Sequence, residues 1–161
     1  MQHHIGSYVK DDVDTSPSLA QLINRASRAL ARDGDAALKP LGLRYAQVPV
    51  LALLHEGTAL TQKDLAEAAG IEQPSMAQLL ARMDRDGLIQ RTPHPNDARS
   101  HQISLTAEAA ATASAAHRQL IDLDERAVAG FTAEEIRTLS DLLIRLNDNL
   151  DRAKDPTVRS V

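Results

Sequence analysis

Apolar residues recur at helical spacing along most of the chain. Ser16-Pro17 offers an N-cap followed by proline at a first helical position, and Leu19, Leu22, Ile23, Ala26 and Leu30 then mark one face. The stripe continues loosely through Ala37, Leu38 and Leu41, which predicts a long first helix to about Lys39, punctuated by Pro40 and Gly42. Val48, Leu51, Ala52 and Leu54 predict a second helix over about residues 45–55. Pro49 falls near its first turn, where an amide has no intrahelical partner or is just gaining one. Thr61-x-x-Asp64 resembles a capping box with Asp in place of Glu, and it opens a short third helix with Leu65, Ala66 and Ala69 inward. Gly70 closes that helix in the left-handed region. A fourth follows over about residues 74–86, with Met76, Leu79, Leu80 and Met83 as its buried face and Gly87 at its end.

Two short alternating stretches come next, residues 88–91 and 102–105, with the turn-rich run PHPNDARSH between them. Alternation on both sides of a polar loop predicts a β-hairpin. Thr106 caps an alanine-rich fifth helix over about residues 107–128. The capping box Thr132-x-x-Glu135 opens a sixth, whose stripe is Ile136, Leu139, Leu142, Leu143, Leu146 and Leu150. Residues 1–15 carry three aspartates without periodicity and read as a polar arm, and the charged tail after Asp151 is expected to fray. No internal repeat is visible. The pattern is that of a mainly α (α+β) fold.

Composition narrows the function classes. With 161 residues the chain has room for one domain and an appendage. There is no cysteine, which excludes disulfide scaffolds, thiol nucleophiles, cysteine zinc fingers, iron–sulfur clusters and oxidant sensing through a thiol of its own. Aromatic residues make up only 2%, too few for a base-stacking platform. No apolar run approaches the roughly 18–20 residues of a membrane helix, and the polar opening MQHHIGSYVKDDVD is unlike a signal peptide. The expectation is a cytoplasmic soluble protein with no membrane partner. No Gly-rich phosphate loop, nucleophile elbow or metal-binding pair is present, so neither an enzyme nor a cofactor is expected. The six histidines do not alter this: none is paired at i, i+4 with a carboxylate partner.

Two short helices joined by a Gly-containing turn, with a polar face on the second, form a helix-turn-helix. The residues outside the apolar stripe of the fourth helix are Gln73, Ser75, Gln78, Ala81, Arg82 and Arg85. Glutamine suits the edge of adenine and arginine that of guanine. Ser75, with Pro74 beside it and the free amides at the helix start, suits phosphate or base contact. Such a face is also what any surface helix presents to water. The hairpin favours the DNA reading: Arg99 at its tip is placed to enter a minor groove, and Asp97 to brace an arginine or the turn. Thr61, at the start of the third helix, joins the candidate contacts.

The run from Leu65 to Thr106 resembles the MarR family of winged-helix regulators. DLAEAAGIEQPSMAQLLARMDRDGLIQR is similar to that family's helix-turn-helix, and NDARSHQISLT to its wing, with Asp97, then Arg99, then Leu105-Thr106 opening the next helix. LGLRYAQVPVLALL and FTAEEIRTLSDLLIRL resemble the flanking segments, so the likeness spans about residues 18–150. It departs after Leu105-Thr106, where a glycine is common and this chain has Ala107-Glu108-Ala109-Ala110.

The resemblance implies a winged helix-turn-helix with a two-stranded wing over residues 43–105, flanked by long N- and C-terminal dimerisation helices at residues 16–42 and 106–151. It implies an obligate homodimer on double-stranded DNA, with a pseudo-palindromic operator. A monomeric bundle is the alternative for the flanking helices. The resemblance further implies a repressor released by a small anionic, phenolic-type effector held between the dimer layer and each lobe. The polar residues nearest that place are Ser27, Arg28, His55, His117 and Arg118. A metal-responsive regulator and a winged-helix adaptor that does not bind DNA stay open as alternatives. The second draws on charge: residues 61–105 hold Lys63, Arg82, Arg85, Arg91 and Arg99 against Asp64, Glu67, Glu72, Asp84, Asp86 and Asp97. A lobe so balanced must rely on a few placed arginines, with a modest salt dependence.

Overall fold

The computed structural model describes residues 17–152. Both the arm at residues 1–15 and the tail after Arg152 lie outside them. Helix α1 (Leu19–Leu38) is capped by Ser18, whose hydroxyl accepts the Gln21 amide while Gln21 reaches back to the Ser18 amide. The cap is therefore Ser18, not Ser16, because a serine with a glutamine three residues on satisfies two amides where Ser-Pro satisfies one. Near its far end Gly34 is buried, and a Cβ there would overlap the ring of Tyr45. The close approach is completed by Asp35, which accepts the Tyr45 amide at 2.8 Å.

The expected helix over residues 45–55 is interrupted. A 3-10 turn (Tyr45–Gln47) leads into α2 (Val48–Leu53), and a second 3-10 turn (His55–Gly57) follows. Pro49 explains the division: it sits in the first turn of α2, where its missing amide costs nothing, so the helix proper begins at Val48. Buried Gln47 is satisfied by accepting the Arg44 amide at 2.9 Å.

Helix α3 (Gln62–Ala69) and helix α4 (Gln73–Arg85) are joined through Gly70 at φ 63. The Gly70 amide closes α3 while the Ile71 amide reaches back to Ala66 O at 2.9 Å, turning the chain within three residues. Leu65, Met76, Leu80 and Met83 are fully buried and pack with Val50, Leu54, Ile89 and Ile103 into one core.

Strands β1 (Ile89–His94) and β2 (Asp97–Leu105) form an antiparallel hairpin with Ile89 opposite Leu105 and Pro93 opposite His101. Most of the run expected to be a loop is strand, and the turn is only Pro95-Asn96. Leu60 bridges Ile103 through two backbone bonds of 3.1 and 2.8 Å, adding a single-residue rung on the other edge of β2.

Helix α5 (Ala107–Ala127) packs along α1, and α6 (Ala133–Arg152) follows a turn at Gly130. Within the chain α6 has no buried residue; Leu142 is 48% exposed and Ile144 59%. Leu19 and Leu22 of α1 are exposed as well. Among the described residues no helix is long and apolar enough to cross a membrane.

Candidate nucleic-acid interface and effector pocket

The face of α4 away from the core carries Gln73, Pro74, Ser75, Gln78, Arg82 and Arg85, all exposed. Periodicity dictates this, since Met76, Leu80 and Met83 occupy the opposite side. The helix begins after Glu72, which makes no side-chain cap. The first intrahelical bond runs from the Met76 amide to Glu72 O, so the Gln73 and Ser75 amides precede the ladder at the exposed end. The start of α3 differs. Thr61 accepts the Asp64 amide, its hydroxyl donates to Asp64 Oδ2 at 2.7 Å, and the same carboxylate accepts the Thr61 amide. Those bonds from Thr61 hold the Asp64 carboxyl below its usual value, helped by Lys63 and His94. Thr61 is thereby committed to the cap.

The arginines of the lobe are not equivalent. Arg85 Nε lies 3.3 Å from Asp86, and Arg91 Nε 3.2 Å from Asp84, which ties β1 to α4. Arg82 Nε donates to Gln78 O at 3.2 Å, one turn back along its own helix. Arg99 lies inside β2 rather than at the hairpin tip, because the turn is two residues long. Asp97 braces the turn and not an arginine side chain: its carboxylate accepts the Arg99 amide at 3.0 Å. The base of the wing is anchored by Thr106, whose hydroxyl donates to Gly87 O at 2.9 Å and whose amide donates to Leu88 O.

A pocket of about 340 Å³ opens between α2 and α5. Its walls are Val48, Leu51, Ala52, Ala113, Ala116 and Leu120, with His55 and His117 as the polar members. Of the five residues expected around an effector, those two histidines are brought together. Ser27, Arg28 and Arg118 are exposed and are not among the walls. The apolar walls were legible as helix stripes, but the alanines of α5 gave no sign of a cavity. The Leu60 rung was missed too, because one paired residue leaves no alternation.

This order of elements, with a hairpin after the second short helix, can be compared with known proteins. A sequence profile described as MarR family matches residues 41–100. The homoprotocatechuate degradative operon repressor of Escherichia coli is 37% identical over 106 residues, covering 66% of this chain and 72% of that protein. The multiple antibiotic resistance protein MarR of Escherichia coli K12 is 30% identical over 127 residues, 78% of this chain and 88% of its own length. The chain belongs to the MarR family.

The family membership makes the protein a transcriptional regulator and not an enzyme. Its fold is shared by the crystal structure of a mutant MarR from E. coli complexed with operator DNA. The TM-score is 0.73 and the identity 28%, over 80% of this chain and 92% of that one. The MarR-like architecture thus confirms the expected mainly helical winged helix-turn-helix.

Proposed function

We propose that this MarR-family regulator is a repressor that binds a pseudo-palindromic operator as a homodimer and is released by a small anionic, phenolic-type molecule. The lobe of residues 43–105 reads DNA, and the helices within residues 16–42 and 106–151 make the dimer layer. Gln78 and Arg82 meet base edges, Gln73, Pro74 and Ser75 approach the backbone at the start of α4, and Arg99 enters the minor groove. Thr61 and Asp97 act by holding α3 and the wing in place.

The observation that carries this reading is the exposed Gln78–Arg82 face of α4 beside a hairpin anchored to the end of the same helix. A solved MarR relative bound to operator DNA supports the partner. The exposed leucines of α6 and α1, with Ile144, support a second copy of the chain. The effector reading rests on the pocket between α2 and α5, apolar with two imidazoles, a composition suited to an aromatic ring bearing an anionic group. Homoprotocatechuate, a phenolic acid, appears in the name of one relative, which points to the same chemistry.

The test is a mobility-shift titration with DNA flanking the protein's own coding region, repeated with phenolic acids and then with zinc. Retarded DNA freed by millimolar phenolic acid, and not in His55→Ala or His117→Ala, is the expected result. Release by zinc alone would favour the metal-responsive reading. No retardation at any concentration would leave the adaptor reading, which the near-balanced charge of the lobe favours.

A further inference from the structure

The wing has little fixed positive charge for a minor-groove probe. Arg99 is its one arginine between Arg91 and Arg118, and Asp97 offsets it. Arg91, at the foot of β1, is paired to Asp84; the remaining ionisable side chains of the hairpin are His94 and His101, and the structure separates their roles.

His94 serves the turn. Its Nδ1 accepts the Asn96 amide at 3.2 Å, so a second proton there means giving up that bond. His101 stands differently. It pairs with Pro93 and lies on the hairpin face that carries Ile89, Ile103 and Leu105 into the core. At its own rung that face has passed the end of the core, and the side chain is exposed, two residues from Arg99. The ionisable groups of its own hairpin are Arg91 and His94 of β1 and Asp97 and Arg99 of β2; Asp64 of α3, beside Lys63, acts on His94 rather than on His101, Asp84 of α4 is paired to Arg91, and Glu108 lies in the first turn of α5. Among side-chain types the imidazole is the one whose charge ordinarily changes between pH 6 and 8.

We propose that His101 is a second cation of the wing, charged by a proton taken up when the wing meets DNA. The proposal rests on the reading of the wing as a DNA contact. Near a duplex each imidazole close to phosphate is favoured in its charged form, by the same physics that draws arginine there. Operator binding is then linked to proton uptake, and affinity falls as pH rises through the histidine range. Proton linkage of one imidazole whose hold on its proton strengthens about ten-fold on the polyanion makes binding about six-fold tighter at pH 6 than at pH 8.

The experiment is fluorescence anisotropy of the full chain on operator-containing DNA at pH 6, 7 and 8, with ionic strength held constant. The parent is expected to lose about six-fold in affinity from pH 6 to 8. His101→Asn should lose that dependence and bind at pH 6 as the parent does at pH 8. His101→Arg should bind tightly at both ends of the range. His94→Asn, which keeps an acceptor near the turn, should retain the parent's slope. A parent that binds equally at pH 6 and 8 overturns the proposal and leaves the DNA reading intact. So does a pH dependence that survives in His101→Asn, which would place the titrating group elsewhere. No binding at any pH overturns both the proposal and the DNA reading.

Discussion

Two exposed side chains one helical turn apart, Gln78 and Arg82, bear most of the proposed specificity. In the free protein Arg82 rests on Gln78 O. That bond is exposed, so releasing it for a base edge costs little. Replacing either residue by alanine should weaken operator binding by about 1–3 kcal/mol, relax preference at one base position and leave thermal stability unchanged. Equal binding by both variants and parent would move the reading face elsewhere. Arg99 is a different kind of contact. Its backbone is fixed by Asp97 while its side chain is exposed. Arg99→Ala should weaken binding to many sequences alike and flatten the slope of log affinity against log salt by about one unit. Arg99→Lys should restore only part, since an ammonium gives up its water less readily. These residue types were legible in the sequence, because helical phase alone separates Gln78 and Arg82 from Met76 and Leu80. The pairing of Arg85 with Asp86 and of Arg91 with Asp84 was not legible, since it depends on how β1 returns along α4.

At the scale of elements, the lobe is defined by its punctuation. Capping boxes at Thr61/Asp64 and Thr132/Glu135, the left-handed Gly70 and the Thr106 anchor fix where helices start and how they turn. The capping boxes and Gly70 were visible as residue spacings, because each acts over a few residues, whereas the bond from Thr106 back to Gly87, nineteen residues away, was not. The break of the second helix and the length of the wing strands were not, because Pro49 and the PHPNDARSH run fit either a loop or an ordered segment until neighbours pack. Thr61→Ala should cost about 1 kcal/mol of stability. Both capping carboxylates are held below their usual values, Asp64 chiefly by the Thr61 hydroxyl and Glu135 chiefly by the Thr132 amide. A depressed carboxyl contributes stability fully above its unfolded value, and that contribution is lost as pH falls through the folded value. Thermal denaturation followed from pH 6 to pH 3 should therefore show the parent losing more stability than Thr61→Ala. Parallel curves would mean that the cap does not couple to the acid limb.

At the scale of the whole molecule, the chain buries a core around α2, α3, α4 and the hairpin, and leaves α6 with no buried side chain. A helix with an apolar stripe needs cover, and in the proposed homodimer the exposed Leu139, Leu142 and Leu143 would meet a second copy of the same stripe. Sedimentation should give a dimer at micromolar concentration, with thermal stability rising with protein concentration. A well-folded monomer throughout that range would count against the proposed dimer layer. The sequence alone announced these stripes, but it could not say which would be covered within one chain: α5 packs on α1, and among the described residues nothing buries a side chain of α6.

Sequence discrimination on DNA is the most direct measure of what this molecule does. Titrate the full chain into two labelled duplexes of equal length, one from the DNA flanking its coding region and one with the same bases scrambled, at one salt concentration. A specific regulator binds the first at least about a thousand-fold more tightly. Affinities within a few-fold of each other, or no binding to either, would contradict the assignment of α4 and the wing as the reading surface.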